Sequence, residues 1–160
     1  MIFKIVSGGQ TGVDRAALDA AIALGVSCGG WCPAGRVDEQ GVIPEHYPLK
    51  ELKKGGYKLR TVQNMIDSDA TLIFYFGDLE GGTEETTFRC IKNRKPYKLI
   101  DGSELTIVRS AQLAADFVEK FGIKTLNVAG PRESKCPEAY DYSYAAVVGL
   151  LEKLGLSAST

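Results

Sequence analysis

Three short glycine-rich stretches carry the residue types from which an oxyanion site is built: SGGQTGVD at 7–14, GGTEET at 81–86 and GPRES at 130–134. In the first, Gly8, Gly9 and Gly12 permit positive φ and close approach of a ligand to the backbone, with Gln10 and Thr11 between them. Successive N–H groups there can form a concave nest at the positive end of a following helix. Thr11 reads as the N-cap. Asp14, three residues on, reads either as the acid of a capping box or as a functional carboxylate. Arg15 in the first helical turn opposes the macrodipole at a cost of roughly 0.3–1 kcal/mol. It either pairs with a nearby acid or serves a site, since local rule violations concentrate where function is. In the second stretch Gly81 and Gly82 open a turn, Thr83 reads as an N-cap and Thr86 adds a hydroxyl one turn in. Glu84 and Glu85 suit the helix dipole and are also acid–base candidates. In the third, the guanidinium fork of Arg132 fits a tetrahedral oxyanion, and Ser134 and the backbone at Gly130 can add donors.

Further candidates flank these turns. Arg36, in WCPAGR, is placed to close over a ligand from a long loop. Arg60, Thr61 and Asn64 fall at helical spacing. Arg60 and Asn64 share a face that is either solvated or part of the site. Asn64 is taken into the candidate set. The first stretch is not a Walker loop, lacking Gly-Lys-Ser/Thr, and is not G-x-G-x-x-G. The chain has no G-x-S-x-G elbow and no H-E-x-x-H, and His46 is its only histidine. Cys28 and Cys32 are spaced C-x3-C, which is neither a redox pair nor a zinc knuckle, and no metal site is expected. These donors bind anions, and catalysis does not follow from them.

The elements that must position these residues alternate. A strand at Ile2–Ser7 runs into a helix with Val13, Ala16, Ala17, Ala20, Ala21 and Leu24 on one stripe. A short strand follows around Val26–Trp31, then a connection from Cys32 to Gly56 without clear period. Loops beyond roughly 15 residues are usually functional or disordered. Its anchors Trp31, Ile43, Tyr47 and Leu49 favour an ordered loop. A helix is predicted over Tyr57–Ile66, a doubly buried strand over Ala70–Phe76 and a helix over Glu84–Asn93. Then come a strand over Tyr97–Ile100, a helix that starts after Ser103 and runs to about Phe121, a strand over Lys124–Ala129 and a helix over Ala139–Leu154. Alternation of this kind means a mostly parallel sheet with helices on both faces. In such sheets ligands sit beyond the carboxyl ends of the strands, where the order reverses.

A chain of 160 residues with 44% hydrophobic and 24% charged residues reads as one soluble domain, 1–156, with a frayed tail at 157–160. A net charge of −1 argues against a general grip on nucleic acid or membrane. Free thiols, no signal-like start and no apolar run of roughly 20 residues lead to the expectation of a cytoplasmic protein.

The segments SGGQTGVDRAALDAA, GGWCPAGR…IPEHYPL, RTVQNMIDSDATLI, LEGGTEET and LNVAGPRES together resemble the molybdenum carrier family. That family is also described as circularly permuted YpsA-like, within the SLOG superfamily of Rossmann-like proteins. The resemblance covers nearly the whole chain in order. It implies a doubly wound sheet of about five strands in the order 2-1-5-3-4, with the three glycine turns side by side at the switch point. It also implies a nucleotide, or a molybdenum cofactor whose pterin bears a phosphate and a dithiolene-bound metal oxide. Trp31 or Tyr47 would either cover such a ring or anchor the loop. Phosphoribohydrolases of the superfamily carry PGGxGTxxE. Here the stretch is EGGTEET, and Thr86 falls where their catalytic glutamate stands.

The expected function is therefore a carrier of molybdenum cofactor (molybdopterin), a nucleotide or a molybdate-like oxyanion. Its expected partners are a small phosphorylated ligand and further copies of the chain. The alternatives are a nucleotide hydrolase using Asp14, Glu84, Glu85 or Glu133, and a nucleotide-sensing module.

Overall fold

The computed structural model describes residues 2–156; Met1 and residues 157–160, including the expected frayed tail, lie outside the described residues. Five parallel strands form the main sheet: β1 (Lys4–Val6), β2 (Ser27–Gly29), β7 (Ala70–Tyr75), β8 (Tyr97–Asp101) and β9 (Thr125–Ala129). Their order is β2-β1-β9-β7-β8. Counted among themselves in chain order, these five run 2-1-5-3-4. Four two-residue strands, absent from the expectation, separate β2 from β7: β3 (Trp31–Cys32), β4 (Val37–Asp38), β5 (Gly41–Val42) and β6 (Lys50–Glu51). β3 pairs with β6 and β4 forms a hairpin with β5, so the long connection is ordered. Two-residue strands are too short to show a period, which is why the sequence there looks irregular.

The last strand in the chain is central. β9 lies between β1 and β7, with Ile5 opposite Leu126 and Leu72 opposite Val128. Strand β7 is buried on both faces. Leu72 and Phe74 face a core shared with α1 (Val13–Ala23), α4 (Ile107–Phe121) and α5 (Ala139–Lys153). Ile73 points the other way, onto Met65 of α2 (Tyr57–Ile66) and Cys90 of α3 (Gly81–Lys92). The small residues Ala17, Ala20 and Ala21 let α1 lie close to the sheet. A third cluster of Leu18, Cys32, Ile43 and Tyr47 seats the long connection on α1.

Helix boundaries sharpen two of the sequence assignments. α3 begins at Gly81, not Glu84, so Thr83 is inside the first turn and Glu80 is the N-cap residue, without a side-chain cap. α1 is preceded by Gly12 rather than capped by Thr11, and no capping box forms. The reason is that Asp14 turns away to accept from the Gln10 amide at 3.3 Å. Among the described residues no helix is long and apolar enough to cross a membrane.

Candidate functional site

Strands β1, β9 and β7 are neighbours, so the turns that follow them converge on one sheet edge. Between these turns and the helices α2 and α3 lies a cleft of about 820 Å³. That is within the roughly 300–1,000 Å³ of small-molecule sites. Ten of the expected site residues line it: Gly8, Gln10 and Asp14 from the first turn, Asn64 from α2, Gly81, Gly82, Thr83 and Thr86 from α3, and Gly130 and Arg132 from the third turn.

The cleft's strongest electrostatic feature comes from α2. The Arg60 Nη1 donates to Asp14 Oδ2 at 2.7 Å, and both side chains are almost wholly buried. Burial pushes the Asp14 carboxyl above its ordinary range, and the Arg60 guanidinium and then the Gln10 N–H pull it back only in part. The Arg60 Nε is buried without a hydrogen-bond partner among the described residues. Arg132 is in the same position: its Nε has no such partner, and the nearest acid, Glu39 Oε2, is 4.0 Å away. Opposite them, the first N–H groups of α3 have no intrahelical partner and no side-chain cap, so the positive end of the helix opens onto the cleft. The Thr86 hydroxyl donates back to Gly82 O at 2.9 Å, so its proton is committed to the helix. Lys58 and Lys135 add positive charge at the rim, and Arg89 is paired with Glu85 at 3.2 Å. Tyr57, Tyr75 and Phe76 supply flat apolar surface.

Six expected residues lie away from this cleft. Arg15 donates to Gly9 O at 2.8 Å and to Asp38 Oδ2 at 2.7 Å, and lies over the Tyr47 ring at 4.9 Å. It pairs with an acid, and so holds the β4–β5 hairpin to α1. Arg36 does not close over the cleft. Its guanidinium donates to the carbonyls of Pro44, Tyr47 and Leu49 and ties the long connection to itself. Gly9 faces the Leu49 side chain, and Gly12 lies against the backbone of Pro131 and Arg132. Thr11 Oγ1 accepts from Glu133 N at 3.2 Å, joining the first and third turns. Ser134 lies on the outer side, donating its N–H to Glu39 Oε1 at 3.2 Å.

Asn64 and Arg60, which the sequence placed on one helix face with the same two readings, differ in the structure. The Asn64 amide is committed: Oδ1 accepts from Trp31 N at 2.7 Å and Nδ2 donates to Trp31 O at 2.9 Å. Arg60, left out of the candidate set, faces the cleft. Its signal was present as a shared helix face, but spacing cannot say which member looks inward. Of the two readings of Trp31 and Tyr47, the contacts are those of loop anchors. Trp31 Nε1 donates to Asp67 at 2.8 Å, and the buried Tyr47 donates to Asp19 at 2.6 Å. Cys136 lines the cleft as a thiol that burial, with the Glu138 carboxylate, pushes up to about 11. Cys28 and Cys32 are free thiols raised by burial, Cys28 in the main sheet and Cys32 under the long connection.

Comparison with known proteins agrees with the fold. Residues 5–151 match the model of the circularly permutated YpsA SLOG family. A crystal structure from Syntrophus aciditrophicus SB, of a protein named "putative molybdenum carrier protein", superposes with a TM-score of 0.91. It is 43% identical in sequence, over 94% of this chain and 95% of that one. No curated protein matches the chain.

Proposed function

The chain belongs to the circularly permuted YpsA SLOG family, and from that premise we propose that it is a molybdenum carrier that holds its cargo by an oxyanion. The cargo is a phosphorylated pterin, a nucleotide or a molybdate-like ion, seated in the cleft between the three turns. One observation carries this reading: the side chains of Arg60 and Arg132, each with an Nε–H that has no hydrogen-bond partner among the described residues, and the uncapped start of α3 line one cavity. Arginine forks and free backbone amides are donors for phosphoryl and metal-oxo oxygens. The cargo is bound by its oxygens, and Tyr57, Tyr75 or Phe76 gives a ring system a surface to lie on. The neighbour's name, a molybdenum carrier, supports the molybdenum part of this reading. The test is titration calorimetry of the purified protein with molybdate, ADP and molybdopterin, together with metal analysis and mass spectrometry of whatever copurifies. Absence of binding to all three would remove the proposal.

A second reading has one observation in its favour. Asp14 is in the cleft with its carboxyl raised by burial, as suits a general acid in nucleotide cleavage. Glu85 also lines the cleft but is paired with Arg89, while Glu84 and Glu133 do not line it. A nucleotide panel assayed for released base or phosphate decides this: turnover abolished in Asp14→Asn supports hydrolysis, and no turnover in the wild type removes it.

A further inference from the structure

The β4–β5 hairpin does more than cover α1. Its turn places Glu39 against the third glycine turn, and several bonds fix it there. The Glu39 N–H donates to Gln10 Oε1 at 3.1 Å, and the same oxygen accepts from Thr11 N at 3.0 Å. Glu39 Oε1 accepts from Ser134 N at 3.2 Å. Gln40 Nε2 donates to Glu133 Oε2 at 3.0 Å, and Asp38 is held by Arg15 at 2.7 Å. The result is a carboxylate delivered to a set position by two other loops.

What that carboxylate does there is incomplete. Glu39 Oε2 and Arg132 Nε are both buried, both without a hydrogen-bond partner among the described residues, and 4.0 Å apart. At that separation their charges attract, but no hydrogen bond forms. A structural salt bridge would close the gap and satisfy both atoms. Here the acid offsets the charge of Arg132 while leaving its Nε–H donor unused. Glu39 does not line the cleft but meets Arg132 from a neighbouring depression that it shares with Gln40, Glu133 and Ser134, so an anion bound on the cleft side of Arg132 would share its charge with Glu39.

We propose that Glu39 is a positioning residue acting through Arg132, an internal carboxylate that competes with the cargo's oxyanion and so weakens its hold. It rests on the oxyanion reading of the cleft. A carrier must release what it carries, and a fixed counter-charge behind one of two arginines keeps affinity below what the donors alone would give. Gln10 is the element that holds the competitor in register, because it reaches the hairpin with its side-chain oxygen and Asp14, the partner of Arg60, with its backbone N–H.

The test uses two tetrahedral oxyanions of similar size and different charge, molybdate and perrhenate, titrated into wild type, Glu39→Gln, Arg132→Gln and the double variant. Glu39→Gln keeps an oxygen for Ser134 N and removes only the charge. It should tighten molybdate roughly tenfold and perrhenate less, because removing a fixed charge acts in proportion to the ligand's charge. In the Arg132→Gln background the gain should vanish or shrink severalfold. Hydrogen exchange at residues 37–42 should match the wild type in Glu39→Gln, showing that the hairpin stays seated, and should rise in Gln10→Ala. Unchanged or weaker molybdate binding by Glu39→Gln, or equal tightening for both anions, overturns the competitor role while leaving the oxyanion site standing. If the wild type binds neither anion, the same variants are titrated with ADP and molybdopterin; no binding of these either removes the oxyanion reading and this role with it, and ADP binding that Glu39→Gln leaves unchanged overturns the role alone.

Discussion

The Arg60 side chain occupies the space that a Cβ on Gly8 would need. A Cβ built at Gly8 would sit 2.7 Å from Arg60 Cζ and closer still to Nη1 and Cδ. Gly8 has no positive φ, so its glycine identity answers to space and not to backbone conformation. The absent side chain is what lets α2 deliver a guanidinium to Asp14 across the mouth of β1. One glycine of the first turn therefore serves the arginine, while Gly12, at φ 80 and packed on the Pro131 carbonyl, serves the turn itself.

Gly8→Ala should displace Arg60, separate it from Asp14 and leave a buried acid poorly paired. The expected loss is roughly 1–3 kcal/mol, the usual cost of overpacking a filled site. Gly82→Ala is the control, because a Cβ there meets nothing within 4 Å. Its effect should stay within about 0.5 kcal/mol. Urea unfolding of both variants checks the contrast, and equal stabilities would show that Arg60 has room to move.

Arg60→Gln and Arg132→Gln should each weaken molybdate or ADP binding about tenfold or more, the scale of a charge-assisted hydrogen bond. Arg36→Gln should leave binding unchanged, since its donors go to three carbonyls of its own loop. It should instead speed proteolysis between residues 36 and 49. Calorimetry and limited digestion with a glutamate-specific protease, which can cut after Glu39 and Glu45, read the two effects separately. An Arg36 variant that lost binding with its loop intact would return that residue to the site.

Much of this arrangement was legible in the chain. Residues 57–66 and 70–75 announce a helix and a doubly buried strand by their period and apolar content. The three glycine turns mark the strand ends that hold the cleft. Side-chain direction was not legible. Asn64 and Arg60 share a helical face, yet one is spent on Trp31 and the other enters the cleft, because that choice depends on where β3 runs. Arg15 and Arg36 have the chemistry of anion ligands. They are consumed by Asp38 and by loop carbonyls, whose positions are set by two-residue strands that carry no periodic signal. Gly81 opens α3 from inside the first turn, so the expected cap at Thr83 became a hydroxyl within the helix.

Asn64 is predicted to hold α2 in place. Both ends of its amide pair with Trp31, so Asn64→Leu would leave a buried N–H and a carbonyl unmatched. The expected cost is about 2–3 kcal/mol. Because α2 carries Arg60, anion binding should weaken in the same variant, and Asn64→Asp, which sets a buried carboxylate oxygen against the Trp31 carbonyl, should cost at least as much near neutral pH. Equilibrium unfolding with calorimetry on the same samples tests this, and a stable Asn64→Leu would mean that the Trp31 backbone finds other partners.

Asp69 should shape the acid limb of stability. Its Oδ2 accepts from Lys124 N and Thr125 N, each at 2.9 Å, and so fixes the start of β9 beside β7. These two N–H groups hold the carboxyl below its ordinary 3.8. A lowered folded-state value means that the stabilisation is present above the unfolded value and is lost as pH falls through the folded one. Wild type should therefore lose this contribution below about pH 4, where the unfolded chain takes up the proton first. Asp69→Asn keeps an oxygen for both N–H groups but no charge, so it should be less stable than wild type at pH 7 and converge with it toward pH 2. Urea melts across that range measure the gap between the two proteins. A gap that stays constant with pH would assign the effect of the substitution to geometry instead of charge.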